Sequence, residues 1–134
     1  MGRVEDKMLK EFLDNKENLL LEFSKIVNVK NLKYTIKELR SIENNMMRLL
    51  CDEKISELYN IYIGEVLLKN IKGEWFIGKF KKDLAYHKPI ILKEDKNKMR
   101  LCPIADWFEL LKMGKLKDGI SGMVLRVIEF ENIN

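Results

Sequence analysis

The chain carries one imidazole, His87, and two thiols, Cys51 and Cys102. A cysteine beside a histidine is a route to covalent catalysis, because the imidazole takes the thiol proton and leaves a thiolate. No local signature surrounds any of the three, and their isolation supplies neither a C-x-x-C nor an H-x-x-x-H spacing for a metal. Glu65 is the next candidate. It lies in YIGEVLLKNIKGEWFIGKF, residues 62–80, where a glycine and a glutamate interrupt an apolar helical pattern. Half-buried near Tyr62 and Trp75, its carboxylate would bind a cation or act as a general base. A lone carboxylate without a second acid or a histidine is not a catalytic signature, however. The structural reading of the same residues is stronger. Gly64 costs about 1 kcal/mol relative to alanine inside a helix, so it marks the close crossing of another element, the Trp75 strand. Glu65 precedes Lys69 by four residues, the favourable order for a surface ion pair. The stretch GKLKDGISG matches neither glycine-rich phosphate-loop pattern. No catalytic residue, metal ligand or cofactor is expected, and the residues describe a binder better than an enzyme.

Two binding surfaces compete. Exposed aromatics and charges around Tyr62, Glu65, Trp75 and His87 would form a protein-binding face. Alternatively Lys79, Lys81, Lys82, Lys88, Lys98 and Arg100, aligned on one sheet face beside Phe76 and Phe80, would form a nucleic-acid surface. Lysines also protect strand edges against pairing with another sheet, and Asp83, Glu94 and Asp95 interrupt this run. Twenty-five Lys and Arg against 21 Asp and Glu give a net charge of +4, which permits nucleic-acid binding without indicating it.

The elements that must position these residues change character midway. Residues 5–27 place Met8, Phe12, Leu19, Leu20, Phe23, Ile26 and Val27 at mostly helical spacing, with an expected interruption at LDNKEN, residues 13–18. Thr35 and Glu38 form a capping box, flanked by a Tyr34/Leu39 staple, that opens a helix over 36–51. Leu39, Ile42, Met46 and Leu49 make its apolar seam, which would pair two copies if the sheet leaves it uncovered. Asp52 caps a third helix with Ile55, Leu58, Tyr59, Tyr62 and Val66 facing inward. After a turn at 70–73, residues 73–80 read as an aromatic-rich strand with one face toward the core and the other covering an edge, and Pro89–Lys93 with 98–102 as a hairpin. Pro103 opens a helix with the stripe Ile104, Trp107, Phe108 and Leu111, and Gly114 is a natural residue to end it. Residues 118–131 carry helical spacing at Ile120, Met123, Val124 and Val127 but strand composition in VLRVIEF, and the spacing favours a helix.

The expected fold is α+β: N-terminal helices packed on a small, mostly antiparallel three-stranded sheet, closed by one or more C-terminal helices. With 134 residues and 46% hydrophobic content, the chain forms one domain, 1–134, mainly helical over 1–70. A charged fraction of 34% and no apolar run of 18 residues argue against a membrane protein. The first residues lack the apolar core of a signal peptide, and Asp6 stands where a myristoylation signal has Ser or Thr. Two cysteines are too few for a disulfide framework, so a cytoplasmic protein is expected, monomer or homodimer. Abundant Lys, Asn and Ile point to an AT-rich bacterial or phage genome.

Tyr62, Gly64, Glu65 and Val66, then Gly73, Trp75, Pro89, Pro103 and Trp107, make a pattern Y-x-G-E-V…G-x-W…P…P…W over residues 58–114. It resembles small uncharacterised bacterial α+β proteins, some found beside polymorphic-toxin genes. The N-terminal helices have no counterpart in the pattern. The resemblance implies an immunity-like, non-catalytic role and brings no catalytic residues with it. The reading is therefore a small protein-binding protein, an immunity or inhibitor protein of a toxin or defence system. Its partner is another protein, with nucleic acid as the alternative and no membrane. A basic inhibitor suits an acidic partner better than a basic nuclease.

Overall fold

A 24-residue helix, α1 (Arg3–Ile26), opens the computed structural model, which describes residues 3–94 and 100–133. Residues 13–18 do not interrupt it. Phe12, Leu20 and Phe23 share one buried or half-buried side, and packing of that stripe outweighs the local preferences of Asp14, Asn15 and Asn18. Helix α2 (Ile36–Glu43) starts where the capping box predicts, with Thr35 accepting from the Glu38 N–H at 3.1 Å. It stops eight residues on. Asn45 and Met46 donate to the carbonyls three residues back, tightening the chain past two asparagines, and a 3₁₀ turn at Arg48–Cys51 replaces the expected continuation. Asp52 then accepts from the Ile55 N–H at 3.0 Å and opens α3 (Glu53–Asn70).

The sheet consists of β1 (Gly73–Ile77), β2 (Pro89–Lys93) and β3 (Arg100–Leu101), antiparallel in the order β1-β2-β3. Trp75 pairs with Ile91, and Ile91 with Leu101. The first strand ends at Ile77, three residues short of expectation, because Gly78 begins a separate loop. Of the expected second hairpin strand, Arg100 and Leu101 form β3, Cys102 instead precedes the next helix, and Lys98 lies outside the described residues. Pro103 opens α4 (Pro103–Asp106), but Trp107 breaks the expected helix, and α5 (Phe108–Lys112) follows. Residues 119–133 are helical, as their spacing indicates, forming α6 (Gly119–Ile133). The molecule is thus α+β, with N-terminal helices, an antiparallel sheet and C-terminal helices in that order.

Helix α3 is the axis of the core. It contacts α1, α4, α6, β1 and β2, and Leu58, Tyr59, Ile61, Tyr62, Ile63, Val66 and Leu67 are all buried. Phe23, Tyr59, Tyr62 and Phe108 stack along it with ring centroids 5.0–6.4 Å apart. Of the expected seam, Leu39, Ile42 and Met46 are buried in the core and Leu49 is half-buried against it. Among the described residues no helix is long and apolar enough to cross a membrane.

One polar atom in this core is unmatched. The Tyr59 hydroxyl is buried with no hydrogen-bond partner among the described residues, and burial, with Glu43 adding to it, pushes its pKa upward. An unpaired buried hydroxyl costs about 1–3 kcal/mol of desolvation. Tyr59→Phe should therefore leave stability unchanged or raise it by up to about 1 kcal/mol in urea unfolding. A clear loss would show that the hydroxyl is satisfied.

Candidate functional site

Residues 62–75 form a joint between helix and strand. A Cβ on Gly64 would lie 2.1 Å from Cη2 of Trp75, so the indole crosses α3 where only glycine leaves room. Trp75 then donates from Nε1 to Oε2 of Glu65 at 2.8 Å, and its ring meets Phe12 edge-on at 4.9 Å. The other Glu65 oxygen pairs with Lys16 Nζ at 3.2 Å. Glu65 is half-buried as its candidate role requires, with 18% of its side chain exposed, yet both oxygens are committed. The expected Lys69 pair does not form, since Lys69 Nζ donates to the Lys33 carbonyl at 2.6 Å and Lys16 on α1 takes its place.

Tyr62 is fully buried, and its hydroxyl donates to Oε1 of Glu38 at 2.8 Å. Burial first, then that carboxylate, pushes the phenol pKa upward. Tyr34 beside it is pushed up to about 12, chiefly by burial and then by Glu65. With Trp75 also buried, the two aromatics expected on a protein-binding face are core residues as folded. A helical pattern reports which residues are apolar, and α3 is enclosed on nearly every side.

His87 sits apart from them. Its backbone adopts φ +59°, its ring stacks on Tyr86 at 3.8 Å between centroids, and Nε2 lies 3.9 Å from Glu5. Neither of these contacts is with a thiol. Cys102 is buried in a small cluster with Ala85 and Ile90, and Cys51 is exposed. Among the described residues no group of three His, Cys, Asp or Glu side chains is placed to hold a metal.

The basic set divides. Lys88 pairs with Glu57 at 2.8 Å, and Arg100 is bound to Asp83. Lys79, Lys81 and Lys82 are exposed. All three belong to the loop from 78 to 88, which joins β1 to β2 and is closed at its neck. Gly78 N–H donates to the Lys88 carbonyl at 3.1 Å, and His87 N–H to the Gly78 carbonyl at 2.9 Å. The neck is so narrow that a Cβ on Gly78 would lie 2.1 Å from the Ala85 carbonyl oxygen. Inside it, Asp83 N–H donates to the Phe80 carbonyl and Tyr86 N–H to the Asp83 carbonyl, both at 3.0 Å. The Asp83 side chain accepts from the Ala85 N–H at 3.0 Å, and buried Ala85 plugs the loop onto the sheet. Asn60, buried on α3, fixes the exit by donating to the Pro89 carbonyl at 3.0 Å.

No relative anchors this geometry to a known activity: no family model, curated protein or solved structure matches the chain.

On its outer side the loop presents two apolar side chains, Phe80 at 72% exposure and Leu84 at 77%. They bracket the turn whose central residues are Lys81 and Lys82. Sequence reasoning placed Phe80 in a strand and passed over Leu84. The available signal was Asp83, a turn former between two apolar residues.

A groove of about 530 Å³ between α2 and α6 is lined by Arg40, Glu43, Asp118, Ser121 and Arg126 among others. Arg126 pairs with Asp118 at 2.9 Å, and Glu43 accepts from the Ser121 N–H at 3.0 Å. These groups tie α6 to α2 and to itself.

Proposed function

We propose that the chain is a small, non-catalytic protein-binding protein of the immunity or inhibitor kind, which acts by covering a surface of a toxin or defence-system partner. One observation carries the reading: a closed, internally hydrogen-bonded loop holds Phe80 and Leu84 in water. Burying each against a partner would stabilise a complex by about 1.5–3 kcal/mol. A preformed loop also pays little ordering entropy on binding, so more of that energy becomes affinity. The pattern over residues 58–114, which resembles small uncharacterised bacterial α+β proteins, some beside polymorphic-toxin genes, implies the same role. The face is the 78–88 loop, with His87 at its exit, in place of Tyr62 and Trp75.

Nucleic-acid binding is the second reading, favoured by three exposed lysines beside the Phe80 ring. Leu84 has no stacking face, and Lys88 and Arg100 are already paired, which places this reading behind the first.

Wild type and a folded Phe80→Ser/Leu84→Ser variant, used as baits in native-host lysate, separate the two. The wild type should retain a protein that the variant loses, and nuclease treatment should change nothing. That protein should arrest growth when expressed alone and cease to do so beside the wild type. Retention of DNA that falls steeply between low and moderate salt, and is lost in Lys81→Glu/Lys82→Glu, would decide for the second reading. A protein held equally by both baits would remove the loop from the binding face.

A further inference from the structure

Asp83 interrupts the run of lysines in the sequence, but the fold commits its half-exposed carboxylate to partners within the chain. One carboxylate oxygen accepts from the Ala85 N–H at 3.0 Å, and the other is bound to the Arg100 guanidinium. The Ala85 N–H, helped by Arg100, holds this carboxyl below its ordinary pKa. What remains on the outer side is two apolar side chains with Lys79, Lys81 and Lys82 around them. Lys79 reaches back over the Phe76 ring at 5.3 Å, while Lys81 and Lys82 occupy the centre of the turn between Phe80 and Asp83.

We propose that the loop's partner is a protein presenting an apolar cleft rimmed by carboxylates, with Phe80 and Leu84 entering the cleft and Lys81 and Lys82 meeting the rim. The proposal rests on the loop being the binding face and adds the chemistry of what it binds. A surface that receives Phe80 and Leu84 comes close to the turn that carries the two lysines between them. Stripping water from an ammonium group without an opposing charge is unfavourable, so a neutral or basic rim would cancel the apolar gain. Opposing carboxylates instead steer the encounter and fix its register. An anionic bilayer offers negative charge and apolar depth too, but it has no fixed shape to match. The closed neck, the stacked turns and the Asp83–Arg100 clamp hold this loop in one shape, which a shaped cleft uses and a fluid surface does not.

The two components act on different rates. The lysines should govern association and its salt dependence, and Phe80 and Leu84 should govern dissociation. The test is zero-length carbodiimide cross-linking of the full chain in native-host lysate, because this reagent joins an amine only to a carboxylate already in contact with it. Mass spectrometry should find Lys81 or Lys82 joined to Asp or Glu of a protein that Phe80→Ser/Leu84→Ser fails to retain. Lys81→Glu/Lys82→Glu should slow association on the order of tenfold, with a smaller change in dissociation. A loop-dependent protein that gives no carbodiimide link to Lys79, Lys81 or Lys82 and binds equally at all salt concentrations would overturn the acidic rim and leave the binding face standing. A partner retained by the Phe80/Leu84 variant, or none at any salt, would overturn both. Phosphatidylserine vesicles or single-stranded DNA that bind in the partner's place, with the same dependence on Phe80 and Leu84, would also overturn the proposal.

Discussion

Gly64→Ala should lower the unfolding free energy by about 2–4 kcal/mol, although alanine is the better helix former by about 1 kcal/mol. The added methyl would sit 2.1 Å from Cη2 and 2.5 Å from Cζ2 of Trp75, so either the indole or the helix must move. The indole has little freedom. It is buried, donates to Glu65 and meets the Phe12 ring edge-on. Turning it away would break the hydrogen bond and leave an N–H and a half-buried carboxylate poorly matched, at about 1–3 kcal/mol. Urea unfolding should show a lower midpoint with an unchanged slope. The decisive measurement is the double-mutant cycle with Trp75→Leu. That change is costly by itself, about 3 kcal/mol by analogy with other large-to-small core substitutions. With the ring gone, adding Gly64→Ala should cost nothing or help. Losses that simply add would mean that the two residues do not collide, and the crossing would have to be abandoned as the reason for the glycine.

This joint was legible in the sequence because the anomaly was local: a glycine and a glutamate stood in a helical pattern just before a tryptophan. Thr35 and Asp52 were legible for the same reason, since a cap is settled within three or four residues. What could not be read depends on distant neighbours. The Glu65 partner is Lys16, 49 positions earlier in the chain, and the Asp83 partner is Arg100 on β3. Phe80 and Leu84 look like core residues by type, and only the Gly78–Lys88 neck, which ends β1 early, turns them outward. Tyr62 and Trp75 fail in the opposite direction. Their phenol and indole suggest a recognition surface, but each polar atom is matched inside the chain by a glutamate. The breaks at 44–47 and at Trp107 were missed because apolar spacing continues across them while the backbone does not.

Glu38→Ala should cost about 3 kcal/mol, more than a surface-helix glutamate normally contributes. Its side chain does three things at once. Oε1 accepts from the Tyr62 hydroxyl at 2.8 Å and from the Tyr34 N–H at 3.0 Å, and Oε2 accepts from the Lys33 N–H at 2.8 Å. A standard capping box would send the carboxylate to the N–H of Thr35. Here Tyr34 adopts φ +59°, the chain turns before the helix, and the carboxylate reaches the two preceding amides instead. A left-handed tyrosine is unfavourable without compensation, and the two backbone bonds to Glu38 hold it there. Removing the carboxylate would free the 33–35 turn and leave the buried Tyr62 hydroxyl unpaired, a penalty of about 1–3 kcal/mol for that group alone. Glu38→Gln should recover part of the loss, because an amide oxygen still accepts from Tyr62 while the amide nitrogen faces a backbone donor. Tyr62→Phe in the Glu38→Ala background supplies the control. If the unpaired hydroxyl carries much of the penalty, that second change should restore about 1 kcal/mol or more. If it restores nothing, the cost of losing Glu38 lies in the turn at Tyr34 and not in the core.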